Sequence, residues 1–203
     1  MSYIQLSDFV YDCSKCHTRC DGVSKGVYIF GDDTAFSEKY ENMLIEKINA
    51  NKNYKAKKSE SPGYPDIEIQ TAEGILYSFL EVKVQQRTFM RVQEKLPQAK
   101  LKPSETVALN LSDLLRYFEI KKTTGFSISI VWVLLNRLCL VAKDNARFFF
   151  QSIDKLEEIY NRAKDTRRFR RESGEGDIVD GVHKGVTVNY HFSLKELKEW
   201  KNL

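Results

Sequence analysis

The sequence lacks any apolar run long enough to cross a membrane. Its longest run, residues 128–135, is the length of a strand and contains Ser129, whereas a membrane-spanning helix needs about 18 apolar residues or more. The N-terminal residues MSYIQLSDFVYDC also lack the basic start and the long apolar stretch of a secretory signal. We therefore expect a cytoplasmic protein that does not associate with membranes.

Histidine and cysteine are both scarce. The three histidines are too few to argue a mechanism based on histidine, and four cysteines in a reducing compartment are expected to be thiols or metal ligands rather than a disulfide framework. Of these four, Cys139 lies in an apolar segment and is predicted to be a core residue. The candidate catalytic groups are therefore carboxylates and lysine.

The other three cysteines form a C-x2-C-x3-C pattern near the N-terminus. Cys13, Cys16 and Cys20 could supply three thiolates to a structural Zn²⁺, with the fourth ligand coming from elsewhere in the chain. The string from Cys13 to His17 also matches a haem-attachment sequence, but that chemistry needs an exporting context. Free thiols are the alternative to zinc, and the pattern leaves both open.

The size and charge of the chain indicate one α/β domain with a small appendage. It has 203 residues, of which 42% are hydrophobic and 12% aromatic, enough for a sizeable core. Net charge is +4 with an isoelectric point of about 8.7, which by itself names no partner. We assign residues 1–35 to the cysteine-containing segment and residues 36–203 to the main domain.

Hydrophobic periodicity and turn residues predict a mixed sheet flanked by helices. Helices are expected over residues 37–50, 87–120 (in two pieces), 153–171 and from 193. Strands are expected near residue 54 and over residues 66–70, 76–84, 126–135, 138–143 and 186–192. The strands 66–70 and 76–84 form a hairpin because only a short Gly-containing turn separates them.

This hairpin carries charged residues where a core strand would be apolar. Side chains alternate between the two faces of a strand, so Asp66 and Glu68 share one face, and Glu81 and Lys83 share one face of the next strand. Two nearby carboxylates repel each other unless a cation lies between them. Mg²⁺ prefers such oxygen ligands, and an adjacent lysine can stabilise a developing oxyanion. These residue types suit the hydrolysis of a phosphodiester, although a solvated edge strand would also explain them.

Pro65-Asp66, followed after fourteen residues by Glu81-Val82-Lys83, resembles the motif of the PD-(D/E)XK nuclease superfamily. Members of that family often place a glutamate on the helix before the hairpin. The candidates here are Glu41 and Glu38. Glu41 is preferred because it precedes the apolar residues of its helix by three and seven positions and so borders the buried face.

The resemblance implies a role for each residue of the motif. Asp66 and Glu81 would hold Mg²⁺ or Mn²⁺, with help from the carbonyl of Val82. Lys83 would position the attacking water or stabilise the pentavalent phosphate, and Gln85 would be an accessory contact to nucleic acid.

The resemblance also implies a restriction-endonuclease-like fold and a metal-dependent endonuclease that cuts double-stranded DNA. A type II restriction enzyme is the first candidate within the superfamily. A Holliday-junction resolvase or a DNA-repair nuclease is the alternative. A DNA-binding module without catalysis is the rival from another class, but it has no need of the set Asp66, Glu81 and Lys83.

Three groups of basic residues could neutralise DNA phosphates. They are Lys47, Lys52, Lys55, Lys57 and Lys58; Arg87, Arg91 and Lys95; and Arg162, Lys164, Arg167, Arg168, Arg170 and Arg171. Phe169, which lies among the arginines, could stack on a base. Each group alone is also explained as a solvated helix end, where cations are favourable.

Cutting both strands of a duplex in one encounter predicts a homodimer, since one active site cuts one strand. The apolar residues in 111–120 and in 186–200 are the two candidate interfaces. Both could serve the core of the monomer instead.

Overall fold

The charged strands lie inside a six-stranded sheet. In spatial order its strands are β1 (Tyr54–Lys58), β2 (Ile67–Thr71), β3 (Leu76–Gln85), β5 (Ser127–Leu134), β6 (Arg147–Ser152) and β11 (Lys198–Glu199). Strands β3 and β5 run parallel, and every other neighbouring pair is antiparallel. The predicted mixed sheet flanked by helices is confirmed.

The computed structural model describes residues 30–86, 88–135, 137, 139–141, 145–170, 178–179, 182–183 and 187–201. For residues 30–36, 178–179 and 182–183 it describes the backbone alone. None of the helices within these residues is long and apolar enough to cross a membrane.

The connection from β3 to β5 has to be long because the two strands are parallel. It contains the short helix α2 (Val92–Lys95), two 3-10 turns, strand β4 (Thr106–Asn110) and helix α3 (Leu111–Thr124). Gly125 ends α3 in the left-handed conformation at φ +75°, and its amide donates to the carbonyl of Lys121. This connection brings α3 onto the face of the sheet that carries Glu81.

The two faces of the sheet are covered by different elements. Helix α1 (Phe30–Asn49) buries Leu44 against Leu80, Val82 and Val131 on one face. On the other face, α3 and α4 (Ile153–Ala163) enclose the larger core together with a second sheet of β4, β10 (Val188–Ser193) and β7 (Arg168–Arg170). A further pair, β8 (Ile178–Val179) and β9 (Val182–His183), is antiparallel.

The hairpin of β2 and β3 forms as predicted. Ile67 pairs with Leu80 and Ile69 with Ser78, so the register is antiparallel, with one shift just before Gln70. Gly74 takes a φ of +86° in the turn, a conformation that glycine adopts without strain. The strand expected near residue 54 is β1, and the helix expected over residues 37–50 begins earlier, at Phe30.

Four predictions of secondary structure are wrong. Residues 106–110 form a buried strand rather than helix, because they pair with β10. Of residues 138–143, the described 139–141 form a turn whose amides donate to the carbonyl of Arg137, and the strand is β6. The helix expected over residues 153–171 ends at Ala163, and Ser152 caps its first turn. The helix expected from 193 is a 3-10 turn, which begins with a capping box between Ser193 and Glu196.

His191 on β10 makes the stability of the fold depend on pH. It is 2% exposed, and burial lowers its pKa to about 4, against a hydrogen bond that its Nδ1 donates to the carbonyl of Arg167 at 3.1 Å. An unfolded histidine titrates near 6.5, so between those values the unfolded chain binds more protons. The contribution of the neutral His191 to stability should be nearly fully present above pH 6.5 and should be lost as the pH drops towards 4.

We expect the free energy of unfolding to fall by about 2 kcal/mol between pH 7 and pH 5 because of His191. Urea unfolding at the two pH values measures this loss, with His191→Asn as the comparison. The variant should lose less stability on acidification than the natural chain. An equal loss in both proteins would contradict the assignment.

Candidate active site

Asp66 lies immediately before β2, after the buried Pro65. Its Oδ2 accepts a hydrogen bond of 2.8 Å from the backbone amide of Val82, so the carboxyl group faces the neighbouring strand β3. Burial raises the pKa of Asp66, the Val82 amide and the charge of Lys83 lower it, and Glu41 raises it again. A cation next to this carboxyl group would favour its ionised form.

Glu81 is the most buried member of the site, with 2% of its surface exposed. Its Oε1 lies 2.5 Å from Nζ of Lys83, and its Oε2 accepts a hydrogen bond of 2.6 Å from the hydroxyl of Tyr117. Burial raises the pKa of Glu81, Lys83 lowers it, and the charge of Asp66 raises it further. The two carboxyl groups of the motif therefore influence each other directly.

Lys83 lies between two carboxyl groups from different elements. Burial acts against its charge, but Glu81, then Asp66 and Asp113, raise its pKa above the ordinary value. Oδ2 of Asp113 on α3 is 3.8 Å from Nζ of Lys83. The ammonium group therefore keeps its positive charge at neutral pH and is held next to both strands of the hairpin.

Helix α3 supplies residues that the sequence interpretation missed. Tyr117 contacts Glu81, Asp113 contacts Lys83, and Arg116 donates to Asp113 at 2.7 Å and to the carbonyl of Gly63 at 2.7 Å. The signal was present, because residues three and four apart share one face of a helix. The apolar residues of the same segment instead predict a dimer surface.

Glu41 on α1 is directed towards the site, whereas Glu38 is directed towards solvent. The charge of Glu41 acts on Asp66, and its side chain is 16% exposed, compared with 65% for Glu38. Lys58 on β1 contacts both, at 3.6 Å from Glu41 and 2.9 Å from Glu38. This placement agrees with the preference for Glu41, whose role stays a prediction.

The two carboxyl groups of the motif fit a hard divalent cation. Over the residues that the structure describes, no three His, Cys, Asp or Glu side chains form a group that could hold a metal ion. Mg²⁺ is nevertheless commonly bound through one or two carboxylates, with water and phosphate oxygens completing the shell. Asp66 and Glu81, whose pKa values are both raised by burial, are such a pair, and the carbonyl of Val82 is the predicted third ligand.

The chain is similar to two solved structures at low identity. One is Hjc, a Holliday junction resolvase from Archaeoglobus fulgidus, an archaeal hyperthermophile: 10% identity, TM-score 0.41, covering 79% of this chain and 87% of that one. The other is D212, a nuclease from a fusselovirus: 6% identity, TM-score 0.43, covering 87% of this chain and 90% of that one. No protein-family model and no curated protein matches the sequence. Similarity this low carries no activity over to this chain.

Arg91 and Lys95, two of the predicted DNA-contacting residues of the second basic group, lie at helix α2. Arg91 forms a bidentate ion pair with Glu94, at 2.6 and 2.8 Å. Nζ of Lys95 lies 3.8 Å from the same carboxylate and 5.7 Å from the ring centre of Phe169. Of the two, Lys95 therefore also lies over an aromatic ring. Arg87 lies outside the described residues.

The arginines of the third basic group differ in whether their ion pairs leave them accessible to a phosphate. Arg167 is 13% exposed and lies 2.5 Å from Glu196, which indicates a structural contact. Arg168 pairs with Asp165 at 3.0 Å and Arg170 is exposed, so both are accessible to a phosphate. Arg171 lies outside the described residues.

In the first basic group, Lys57 and Lys58 are paired with carboxylates. Lys57 is 3.3 Å from Glu60 and 3.4 Å from Glu68, so Glu68 belongs to this surface pair rather than to the site.

Gln85 is directed into the protein rather than outward. Its Nε2 donates to the carbonyl of Ala108 on β4 at 2.9 Å, and its Oε1 lies 3.4 Å from the guanidinium of the buried Arg137. A contact between Gln85 and nucleic acid would have to replace these bonds. The residue connects β3 to β4 at the end of the strand that carries Lys83.

The predicted zinc ligands Cys13, Cys16 and Cys20 lie outside the described residues, so the Zn²⁺ site stays a prediction. Cys139 is half-buried against the larger core, as expected for a core residue.

Replacing Tyr117 with phenylalanine is expected to weaken metal binding without unfolding the protein. The change removes the hydrogen bond to Oε2 of Glu81, and losing such a bond to a metal ligand typically costs about 10- to 100-fold in metal affinity or activity. The measurement is the Mg²⁺ concentration that gives half-maximal DNA cleavage. Tyr190→Phe is the matched control, because its hydroxyl is buried and has no hydrogen-bond partner. A Mg²⁺ requirement that is equal in both variants would contradict the role of Tyr117.

Proposed function

We propose that this chain is a metal-dependent endodeoxyribonuclease of the PD-(D/E)XK type. The proposal rests on one observation: Glu81 and Lys83 on β3 meet Asp66, which lies just before the paired strand β2, in the middle of a sheet. Glu81 is buried and bonded at both oxygens. A solvated edge strand would expose these charges, and β3 is an interior strand with neighbours on both sides. Burying charge is costly, which favours a catalytic explanation.

Each residue of the candidate site has a distinct role in this mechanism. Lys83 offers a fixed positive charge to the attacking water or to the oxygens of the pentavalent phosphate. Tyr117 holds the carboxyl group of Glu81, and the Val82 amide holds that of Asp66. Mg²⁺ bound to the two carboxylates would neutralise the phosphate and lower the pKa of a bound water.

The substrate class is tested by incubating the purified protein with plasmid DNA, phage DNA and a synthetic four-way junction, each with and without Mg²⁺. Cleavage that requires Mg²⁺ supports the proposed activity. Discrete fragments from linear DNA indicate a restriction enzyme, and cleavage of the junction alone indicates a resolvase. Binding of DNA without cleavage under any condition would favour the non-catalytic module instead.

A homodimer is part of the proposal for cleavage of both strands. Of the two candidate surfaces, α3 directs Leu114, Tyr117, Phe118 and Ile120 into its own core and leaves Leu115 40% exposed. The second surface likewise buries Tyr190, Phe192, Leu194 and Leu197 in the same core, and its Trp200 packs against Phe150. We likewise propose that residues 36–203 form the nuclease domain and residues 1–35 a separate segment.

The two glutamates on α1 should differ in their effect on cleavage. Glu41→Gln is expected to lower the cleavage rate about tenfold, a typical cost of removing a group that acts through a metal ligand. Its carboxylate charge acts on Asp66, whereas Glu38 is largely exposed. Glu38→Gln is the matched control, since Lys58 contacts both glutamates. A greater loss in Glu38→Gln than in Glu41→Gln would reverse the assignment.

A further inference from the structure

A small aromatic pocket lies between helix α2, the residues just before it, and strands β7 and β10. It has a volume of about 220 Å³, and its walls include Phe89, Val92, Leu96, Phe169 and His191. Pockets that take drug-sized ligands are usually about 300 to 1,000 Å³, so this pocket is sized for a single ring system. Its lining is almost entirely apolar apart from two cations.

The two cations of the pocket are Arg91 and Lys95, and a phosphate bound to them would replace the exposed Glu94, which contacts both. Lys95 places its ammonium 5.7 Å from the centre of the Phe169 ring. An uncharged aromatic occupant with a negative chain attached to it fits this arrangement of ring and charge.

A series of direct contacts links the pocket to β3, the strand that carries Glu81 and Lys83. Gln85 at the end of β3 donates to the carbonyl of Ala108, and Ala108 is the register partner of His191 on β10. His191 in turn meets Phe89 edge to face, with ring centres 4.9 Å apart. Phe89 is six positions after Lys83 in the sequence, so their Cα atoms are at most about 22 Å apart. A strand of DNA bound at Lys83 can therefore reach the pocket within a few nucleotides.

We propose that this pocket binds an unpaired nucleobase of the DNA that is cut at Asp66, Glu81 and Lys83. Nucleobases stack on aromatic side chains and are accompanied by phosphates that bind Lys and Arg. A base inside a duplex cannot enter such a pocket unless it leaves the stack. The preferred substrate is therefore DNA with unpaired nucleotides near the cleaved bond. This inference rests on the proposed nuclease function and, within it, favours a resolvase or repair nuclease over a restriction enzyme.

The test uses the full chain and a forked DNA duplex that carries 5-iodouracil at one position at a time along its unpaired strand. Irradiation in EDTA, which prevents cleavage, should cross-link Phe89 or Phe169 from one position or two adjacent ones. Phe169→Leu and Phe89→Leu keep the apolar packing and remove the ring. Each should reduce affinity for forked DNA about 5- to 150-fold, the loss expected for one stacked base. Affinity for a fully paired duplex should be unchanged.

Tyr77→Leu is the matched control, because Tyr77 is an exposed aromatic residue that lies outside this pocket. It should bind and cross-link as the natural chain does. The proposal is overturned if no position cross-links to the pocket, or if the Leu variants bind forked and paired DNA equally less well. Cleavage without a cross-link would contradict the base-binding pocket but not the nuclease activity. A cross-link without Mg²⁺-dependent cleavage would contradict the nuclease activity but not the base-binding pocket.

Discussion

Replacing Lys83 with methionine is expected to lower the rate of DNA cleavage by about 100- to 1,000-fold, the usual cost of removing one group that stabilises charge in the transition state. Methionine keeps the length of the side chain and removes its positive charge. The ammonium group lies 2.5 Å from Glu81 and within reach of Asp113, so no other cation of the described site stands where it does. Cleavage rates at saturating Mg²⁺ measure the effect.

DNA binding should survive the same change, because the proposed phosphate contacts lie elsewhere. Lys155→Met is the matched control: it also removes one lysine, from a side chain that is 49% exposed on α4 and belongs to none of the three basic groups. Glu81→Gln and Asp66→Asn should abolish cleavage to a similar extent. Full activity in Glu81→Gln would rule out the proposed site, whatever Lys83→Met does.

Replacing Trp132 with alanine is expected to destabilise the protein by about 3 to 5 kcal/mol, as large-to-small changes of buried aromatic residues do. Trp132 on β5 is fully buried in the larger core, and its Nε1 donates to the carbonyl of Ala108 at 3.0 Å. The same carbonyl accepts from Gln85, so Trp132 helps to attach β4 to the central sheet. It is also the register partner of Lys83.

The loss is measured by urea unfolding at neutral pH. Trp132→Phe should cost less, because it keeps a ring in the core and gives up the indole hydrogen bond, a contribution of about 1 kcal/mol. The difference between the two variants separates the packing from the hydrogen bond. A loss below about 1 kcal/mol in Trp132→Ala would mean that the core refills the space.

The hairpin and its charged residues could be predicted from the sequence because their cause is local. Alternation along a strand places Glu81 and Lys83 on one face whatever lies around them. The short turn with Gly74 pairs their strand with the one that follows Asp66. The preference for Glu41 over Glu38 likewise came from the period of one helix.

The surroundings of the site depended on contacts between distant parts of the chain. Tyr117 reaches Glu81 across 36 positions of sequence, and Gln85 reaches Ala108 across 23. Nothing in the local pattern of either residue names its partner. For that reason the sequence predicts a DNA contact for Gln85, whose amide is used inside the protein. It likewise predicts a dimer interface for α3, which contacts the site instead.

Strand β4 shows why the prediction of secondary structure from the sequence is wrong in some segments. Residues 106–110 are short and apolar, which suits a buried strand and a buried helix equally well. The choice is made by β10, whose residues 189–193 pair with them from more than 75 positions away. The sequence by itself therefore determined the charged hairpin and the candidate catalytic residues, because periodicity and turns act over a few residues. The tertiary structure alone decided which side chains hold those residues in place, because long-range pairing sets the partners of buried polar groups.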